Sequence, residues 1–407
     1  MDNDLIIIGG GAAGLFAGAI STGLSVLILE KKDRVGMKVM VSGGGMCNLT
    51  HAGYVSHFLD KYGANRSFVK PALNQFKNTA LIAWLETIGV GCVEREDGKI
   101  FPESMSAKSV VAALRREIET SPDKQIITSA RVVEIKAFID TGGESGFSVK
   151  TESGCYTSRN VLLATGGKSY PKLGTEGDGY DLAVAMGHHI IAPKPALTGV
   201  SSGWISTREW QGLSIENAEI QLKSSLGSSK GRFKGDLLFT HFGLSGPVVL
   251  NNSRYMESGD IIEINLCGKE LKDLEADFLS VEGSQPLAYW LNQQEIKDKL
   301  KRGLLQELKL SGKEKMAEIS KTMRKTLLGK LTAYDVKIDA LIGFSQAMVT
   351  AGGIVLSEID KKTLASKQVD GLYFAGEVMD IDGDTGGYNL QWAFSSAYAA
   401  VKHIESR

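Results

Sequence analysis

Five stretches of the chain are short, continuous and apolar: Leu5–Ile8, Ser25–Leu29, Val161–Ala164, Val349–Ile354 and Gly371–Ala375. Runs of that length, rich in branched residues and without polar alternation, predict strands buried on both faces, as in a parallel sheet covered by helices. Arg131–Phe138 and Gly146–Thr151 instead alternate apolar and polar residues, which predicts antiparallel strands with one wet face. Helical spacing predicts helices over Ser67–Ile88, over Ala107–Thr120 with Val110, Val111 and Leu114 facing inward, and from about Tyr180 to Met186. Gly98–Pro102 reads as a strand or turn. The style changes after Pro193 and Pro195. Ala218–Leu222, Leu237–Thr240, Val248–Leu250 and Ile261–Leu266 suggest a small antiparallel barrel or sandwich, and Glu270 to about Ile342 reads as helical.

The first two apolar runs bracket the most informative segment. Gly9-Gly10-Gly11-Ala12-Ala13-Gly14 follows the first strand at once and satisfies G-x-G-x-x-G. Gly9 permits the tight turn, Gly11 lets the backbone approach a diphosphate, and Gly14 lets the following helix press onto the sheet. That helix should run to about Thr22 and stop at Gly23, its N-terminus presenting free N–H groups and a positive dipole end. Glu30 ends the second strand, where a carboxylate can accept from both hydroxyls of a ribose. Strand, helix, strand and acid in this order predict a dinucleotide-binding βαβ unit. Lys31-Lys32-Asp33-Arg34 is a solvated turn or, through Lys31, a cation for a cofactor phosphate.

Composition narrows the classes. The 407 residues are 43% apolar with a net charge of −1, so there is no global case for nucleic acid or an anionic membrane. The acidic start runs straight into a strand and does not read as a signal peptide, and no apolar run approaches the ~20 residues of a membrane span. Four scattered cysteines without C-x-x-C fit a reducing cytoplasm and argue against a redox disulfide. The six histidines show no zinc spacing, and Asp380, Asp382 and Asp384 lack the calcium-loop pattern, so no metal is expected. Lys297–Lys330 holds eleven basic and four acidic residues but no Phe, Tyr or Trp. Without a stacking platform it reads as a solvated helical face.

Further glycine-rich turns close the other apolar runs. Ser42-Gly43-Gly44-Gly45-Met46-Cys47-Asn48 supplies backbone able to lie flat against a ligand. Ala164-Thr165-Gly166-Gly167 ends a buried strand in small residues, as a sheet does where a ligand crosses its carboxyl edge. Gly376-Glu377 ends another, and such an acid can bond the sugar-alcohol chain of a flavin. Gly386-Gly387-Tyr388-Asn389 then opens a helix whose N–H donors would stabilise a reduced flavin ring.

Together these segments resemble the two-part FAD-binding fold of glutathione-reductase-like flavoproteins. More narrowly, Val41–Thr50, Phe239–Pro247, Val349–Gly353 and Gly371–Phe394 resemble the BaiN/YhiN-like family of NAD(P)/FAD-dependent oxidoreductases, which includes aminoacetone oxidases and a bile-acid reductase. The resemblance spans nearly the whole chain. It implies an α/β fold with a discontinuous Rossmann-like FAD-binding domain, residues 1–195 and 345–407, interrupted by a β-barrel-like module at 196–268 and a helical module at 269–344. It implies that Gly9, Gly11, Ala12, Ala13, Gly14, Glu30, Lys31, Lys38, Ser42, Gly43, Gly44, Cys47 and Asn48 contact the cofactor. Ala164, Thr165 and Gly166 join them, with Val132 touching adenine through its backbone. Gly376, Glu377, Gly386, Gly387, Tyr388, Asn389 and Leu390 line the ribityl chain and ring. Two departures stand out: Gly36-Met37-Lys38 where the family has Gly-Arg-Lys, and Met46-Cys47-Asn48 where it has Arg-Cys-Asn.

The activity expected is transfer of hydride onto flavin N5 from NAD(P)H or a small organic substrate, in a soluble cytoplasmic enzyme. No second strand-associated G-x-G-x-x-G is present, so NAD(P)H would visit only transiently. Tyr170, His241 and Cys47 are the candidate proton donors. His188 and His189, at a helix end, read as structural. A flavin-dependent RNA-modifying or RNA-binding protein using the 297–330 face is the alternative, disfavoured by the missing aromatics; a flavin sensor without turnover is a third. Oligomeric state is not legible.

Overall fold

In the computed structural model, which describes all residues except 140–141 and 207–208, the chain folds as two compact units. The first comprises Met1–Ala196 with Phe344–Arg407, and the second Leu197–Gly343.

The first unit is built on the βαβ segment. Strand β1 (Asn3–Ile8), helix α1 (Ala12–Ile20) and strand β2 (Val26–Leu29) form as the glycine spacing requires. β1 and β2 pair in parallel, Leu5 opposite Val26 through Ile8 opposite Leu29. Strands β3 (Lys124–Ile127), β4 (Val132–Ile139), β5 (Ser145–Thr151), β6 (Cys155–Leu163) and β7 (Leu372–Phe374) complete the sheet. Its order is β3-β2-β1-β6-β5-β4, with β7 also on β6. β6 pairs antiparallel with β5 through Cys155–Ser158 and parallel with β7 through Val161–Leu163. That one strand therefore serves a hairpin at its start and the parallel sheet at its end. Leu5, Ile6, Ile7, Val161 and Leu162 are fully buried, as the absence of polar alternation demands.

Helix α2 (Tyr388–Glu405) packs its Ala397 and Ala400 stripe into this core, where Phe16 meets Phe76 and Phe394 in tilted contacts at ring distances near 5 Å. The helix expected over Ser67–Ile88 is two, Arg66–Gln75 and Asn78–Thr87. The break has a cause. The carbonyl of Phe76 is taken by Gln391 Nε2 at 3.1 Å and Ser395 Oγ at 2.7 Å, both from α2. The chain leaves this unit along Ile190–Ala196 and returns along Val349–Ile354, and these strands pair antiparallel, Ala196 opposite Val349.

Among the described residues, the second unit includes a seven-stranded sheet and the helices Leu271–Ser280, Leu287–Asn292, Asp298–Glu307 and Lys321–Thr332. Strand Tyr334–Lys337 lies at one edge of the strand order and Ala340–Leu341 at the other, yet only two residues separate them. Consecutive Cα atoms are about 3.8 Å apart, so the sheet must curl into a barrel for its edges to meet. Two expectations are corrected. Val248–Leu250 belongs to a short helix, Pro247–Asn252, because Pro247 sits at its first turn with fixed φ and no N–H to lose. The stretch 269–344 does not stand as a separate helical module: Tyr334–Leu341 returns to the barrel, and the helices share one core with it through Trp210, Trp290 and Leu331.

Candidate functional site

Every expected cofactor residue lies in the first unit: at the carboxyl ends of β1, β2, β6 and β7, at the start of β4, in the loop around Gly43 and at the start of α2. A Cβ on Gly14 would overlap the Gly9 carbonyl oxygen, so only glycine lets α1 sit this close to β1. A Cβ on Gly11 would meet nothing within 4 Å, leaving the backbone open to an approaching group. The first intrahelical bond is Leu15 N to Gly11 O at 2.9 Å, so the N–H groups of Ala12, Ala13 and Gly14 have no acceptor within the helix. An anion belongs there.

Glu30 sits where the sequence puts it. Its Oε2 accepts from Gly10 N at 2.8 Å and its Oε1 from Lys32 N at 2.8 Å, which fixes the carboxylate beside the glycine turn and leaves each oxygen a second acceptor site. The adjoining cleft is lined by Ile8, Glu30, Ala130, Val132, Thr165 and Asp178. Thr165 Oγ1 is buried and has no hydrogen-bond partner among the described residues. An orphaned hydroxyl beside a carboxylate with open acceptor sites fits a nucleotide. Lys31 has another task than the one expected. Its ammonium meets Glu176 at 2.7 Å and Asp178 at 2.9 Å, which draws the 174–178 loop to the end of β2 and neutralises the cation. Arg131 also reaches Asp178, at 3.2 Å; burial opposes the charge on that carboxyl, but Lys31 and Arg131 together hold it below the usual range.

The other end of the site joins segments far apart in sequence. Lys38 Nζ lies 2.6 Å from Glu377 Oε2 and also bonds Ser169 Oγ. Glu377 Oε1 accepts from Thr350 N at 2.8 Å and Ser169 Oγ at 3.0 Å. Thr350 Oγ1 in turn accepts from the N–H groups of Lys168 and Ser169. Glu377 thus takes three donors and stands at the centre of a polar knot. Ser169 and Thr350, its other members, were not singled out from the sequence. Thr350 lies in a motif the resemblance rested on, but nothing local says that its hydroxyl reaches residue 168.

Asn48 makes the second long-range tie. In the orientation its partners require, its amide donates to Thr50 O at 2.9 Å and Ile100 O at 3.2 Å and accepts from Gly387 N at 3.1 Å. Gly43 and Gly44 turn the chain at φ 56° and 67°, the left-handed region glycine tolerates, and Ser42 Oγ caps back to Val39 O. This loop therefore meets the start of α2, where Gly386, Gly387, Tyr388 and Leu390 lie. Asn389 braces the turn before it, its amide bonding Gly383 N and O, each at 2.8 Å. Gly376 N donates to Ser396 Oγ at 2.9 Å, tying the end of β7 to the same helix.

The three candidate proton donors sit in different surroundings. Cys47, expected as a donor able to reach a substrate, is fully buried, and burial pushes its thiol up to about 11. Tyr170 follows Ser169 directly, with left-handed φ of 56°, and is half-buried. His241 is exposed and belongs to the second unit. Met46, the departure from the family's arginine, has Arg95 Nη2 3.3 Å from its sulfur, so a cation from another segment stands beside that position. His188 is structural: its ring bridges Glu358 at 3.0 Å and Ser366 at 2.8 Å.

Residues 3–403 match the model of the HI0933-like protein Rossmann domain. The chain belongs to this family. A ribosomal RNA dihydrouridine synthase of Haemophilus influenzae is 33% identical over 98% of both chains. A 3-dehydro-bile acid delta(4,6)-reductase of Clostridium scindens is 31% identical over the full length of both. Among solved structures, a mutated FrdA subunit of E. coli quinol fumarate reductase superposes with a TM-score of 0.50 at 14% identity, over 99% of this chain and 70% of that one, a likeness of fold. This HI0933-like protein is an FAD-dependent oxidoreductase with a Rossmann-like FAD-binding fold. Among the described residues no helix is long and apolar enough to cross a membrane.

Proposed function

We propose that this HI0933-like protein adds hydrogen across a carbon–carbon double bond conjugated to a carbonyl, and that its substrate is a uridine ring in RNA. The supporting observation is that two relatives matched over nearly their whole length act on dissimilar molecules by one chemistry. Dihydrouridine differs from uridine by two hydrogens across a ring double bond next to a carbonyl. A 3-dehydro bile acid with 4,6 unsaturation presents the same conjugation in a steroid. What such different substrates share must be met by what the chains share.

The residues present fit FAD at both ends. The free N–H groups opening α1 would hold its diphosphate, and Glu30 with Thr165 its adenosine ribose. The start of α2, Gly387–Leu390, would offer N–H donors and a positive dipole end to the ring. Once reduced by two electrons, a bound FAD would supply the hydride for the electron-poor carbon of the conjugated bond. The chain's part is to orient: Lys38, Ser169 and Thr350 fix Glu377, and Asn48 fixes the Gly387 turn. Tyr170, next to Ser169 in the chain, is the group we assign to deliver the proton to the second carbon. NAD(P)H is the two-electron source in this reading, visiting an open face because a second dinucleotide motif is absent from the sequence.

The test is anaerobic. FAD-loaded protein is mixed with NADPH or NADH, the visible flavin band is followed, and a uridine oligonucleotide or a simple enone is added. Bleaching followed by a gain of two hydrogens on the oligonucleotide is the expected result. Reduction of the enone alone would overturn the RNA half, and no reduction of either would overturn the whole reading.

A further inference from the structure

The basic stretch 297–330 contains no aromatic residue, but the fold supplies two from elsewhere. In the second unit, Trp204 and Tyr334 stand in one open groove with Lys325 and Lys330, together with Glu263, Glu307, Asp335 and Lys337. The groove encloses about 600 Å³, within the range of small-ligand sites. Trp204 is 48% exposed. Its indole N–H donates to Tyr334 Oη at 2.9 Å, and Tyr334 Oη donates to Glu307 at 3.0 Å. These bonds hold the indole by its edge and fix the direction of its faces. Lys330 pairs with Glu307 at 2.6 Å, and Glu263 with Lys223 at 2.5 Å, so two of the three groove carboxylates are already neutralised. Lys325 and Lys337 are exposed and have no partner among the described residues, against one remaining carboxylate, Asp335. Lys321, one turn before Lys325 on the same helix, extends the positive edge.

We infer that this groove binds single-stranded RNA, a base stacking on Trp204 while Lys325 and Lys337 meet the flanking phosphates. A fixed, half-exposed indole beside uncompensated lysines is what sequence-tolerant single-strand binding requires, since every base has a π-face and every linkage a charge. The inference rests on the RNA reading above and deepens it by naming residues of the second unit that hold the substrate strand.

The experiment uses full-length, FAD-loaded protein and a labelled oligouridylate of about ten nucleotides, within the span such sites cover. Without reductant, binding is read by anisotropy of the label and by quenching of tryptophan fluorescence. Wild type should show both. Trp204→Phe should keep the affinity and lose the quenching, and Trp204→Ala should weaken binding about tenfold, as expected for one stacked base. Lys325→Glu with Lys337→Glu, both at exposed positions, should weaken it at least as much and flatten its salt dependence. Unchanged affinity in Trp204→Ala and in the double lysine variant overturns the groove. Because binding is read without turnover, the two proposals fail separately. Binding here without uridine reduction retires the proposed reaction, and uridine reduction with unaltered binding in these variants retires the groove.

Discussion

Lys38 Nζ lies 2.6 Å from Glu377 Oε2, joining residues 339 positions apart across the carboxyl edge of the sheet. Both side chains are largely buried, 23% and 19% exposed, so neither charge is well served by water alone. Lys38→Ala should lower stability by about 1–3 kcal/mol, because Glu377 keeps its two neutral donors but loses its cation. A urea midpoint measures it. Lys38→Met combined with Glu377→Gln should cost less than the two single changes summed, and strict additivity would show that the pair does not interact.

Glu30→Gln keeps volume but turns one acceptor into a donor. Since Gly10 N and Lys32 N both point at the carboxylate, the amide can satisfy only one of them. FAD binding should weaken by ~1–3 kcal/mol, roughly 5- to 150-fold. Titration of apoprotein by flavin fluorescence reads it directly, and an unaltered affinity would show that Glu30 serves the turn alone.

Gly14→Ala should be harsher than its single methyl suggests. The new Cβ overlaps the Gly9 carbonyl, so α1 must shift off β1 and carry the N–H groups of its first turn with it. A loss of about 1–3 kcal/mol in stability is expected, together with loss of bound FAD. Thermal melting and the flavin-to-protein absorbance ratio should fall together.

Acid should loosen the first unit through His188. Burial lowers its pKa below the usual 6.5 despite the carboxylate of Glu358 beside it. In the unfolded chain the ring takes up protons more readily than in the fold, so stability is lost as pH falls below about 6.5 and is insensitive to this group above it. Glu358 acts with the same sign at lower pH. Burial raises its pKa, but hydrogen bonds from His189 and His188 outweigh that and leave it lowered. His188→Asn should flatten the melting temperature between pH 6.5 and about pH 5.

Thiol reactivity should follow burial. Cys155 is exposed, whereas Cys47 is buried and burial has pushed its thiol, like that of Cys92, up to about 11. Brief iodoacetamide treatment at neutral pH should label Cys155 first and leave Cys47 unmodified by mass spectrometry. Early labelling of Cys47 would reopen its candidacy as a proton donor.

What could be read in advance was local and periodic. The strand–glycine–helix–strand–acid order of residues 3–30 depends on neighbours in sequence, and the structure reproduces it within a residue or two. Val248-Val249-Leu250 failed because three apolar residues cannot distinguish a strand from a buried helical turn, and the deciding residue, Pro247, precedes them. The break at Phe76 was invisible for another reason: its carbonyl is claimed by Gln391 and Ser395, more than 300 positions away. The same holds for Asn48 on Gly387 and for Trp204 beside Lys325. A charge count over one window cannot know which aromatic ring the fold will set next to it.

The placement of β7 on β6 has a consequence for biosynthesis. The ribosome must deliver the whole of residues 197–343 before Leu372–Phe374 and α2 exist, so the emerging amino-terminal segment waits with one flank of β6 uncovered. Coenzyme capture is therefore a late event in the life of the nascent polypeptide. Messages cut short before codon 372 would yield chains able to attempt the adenosine end but with nothing to close over the ring.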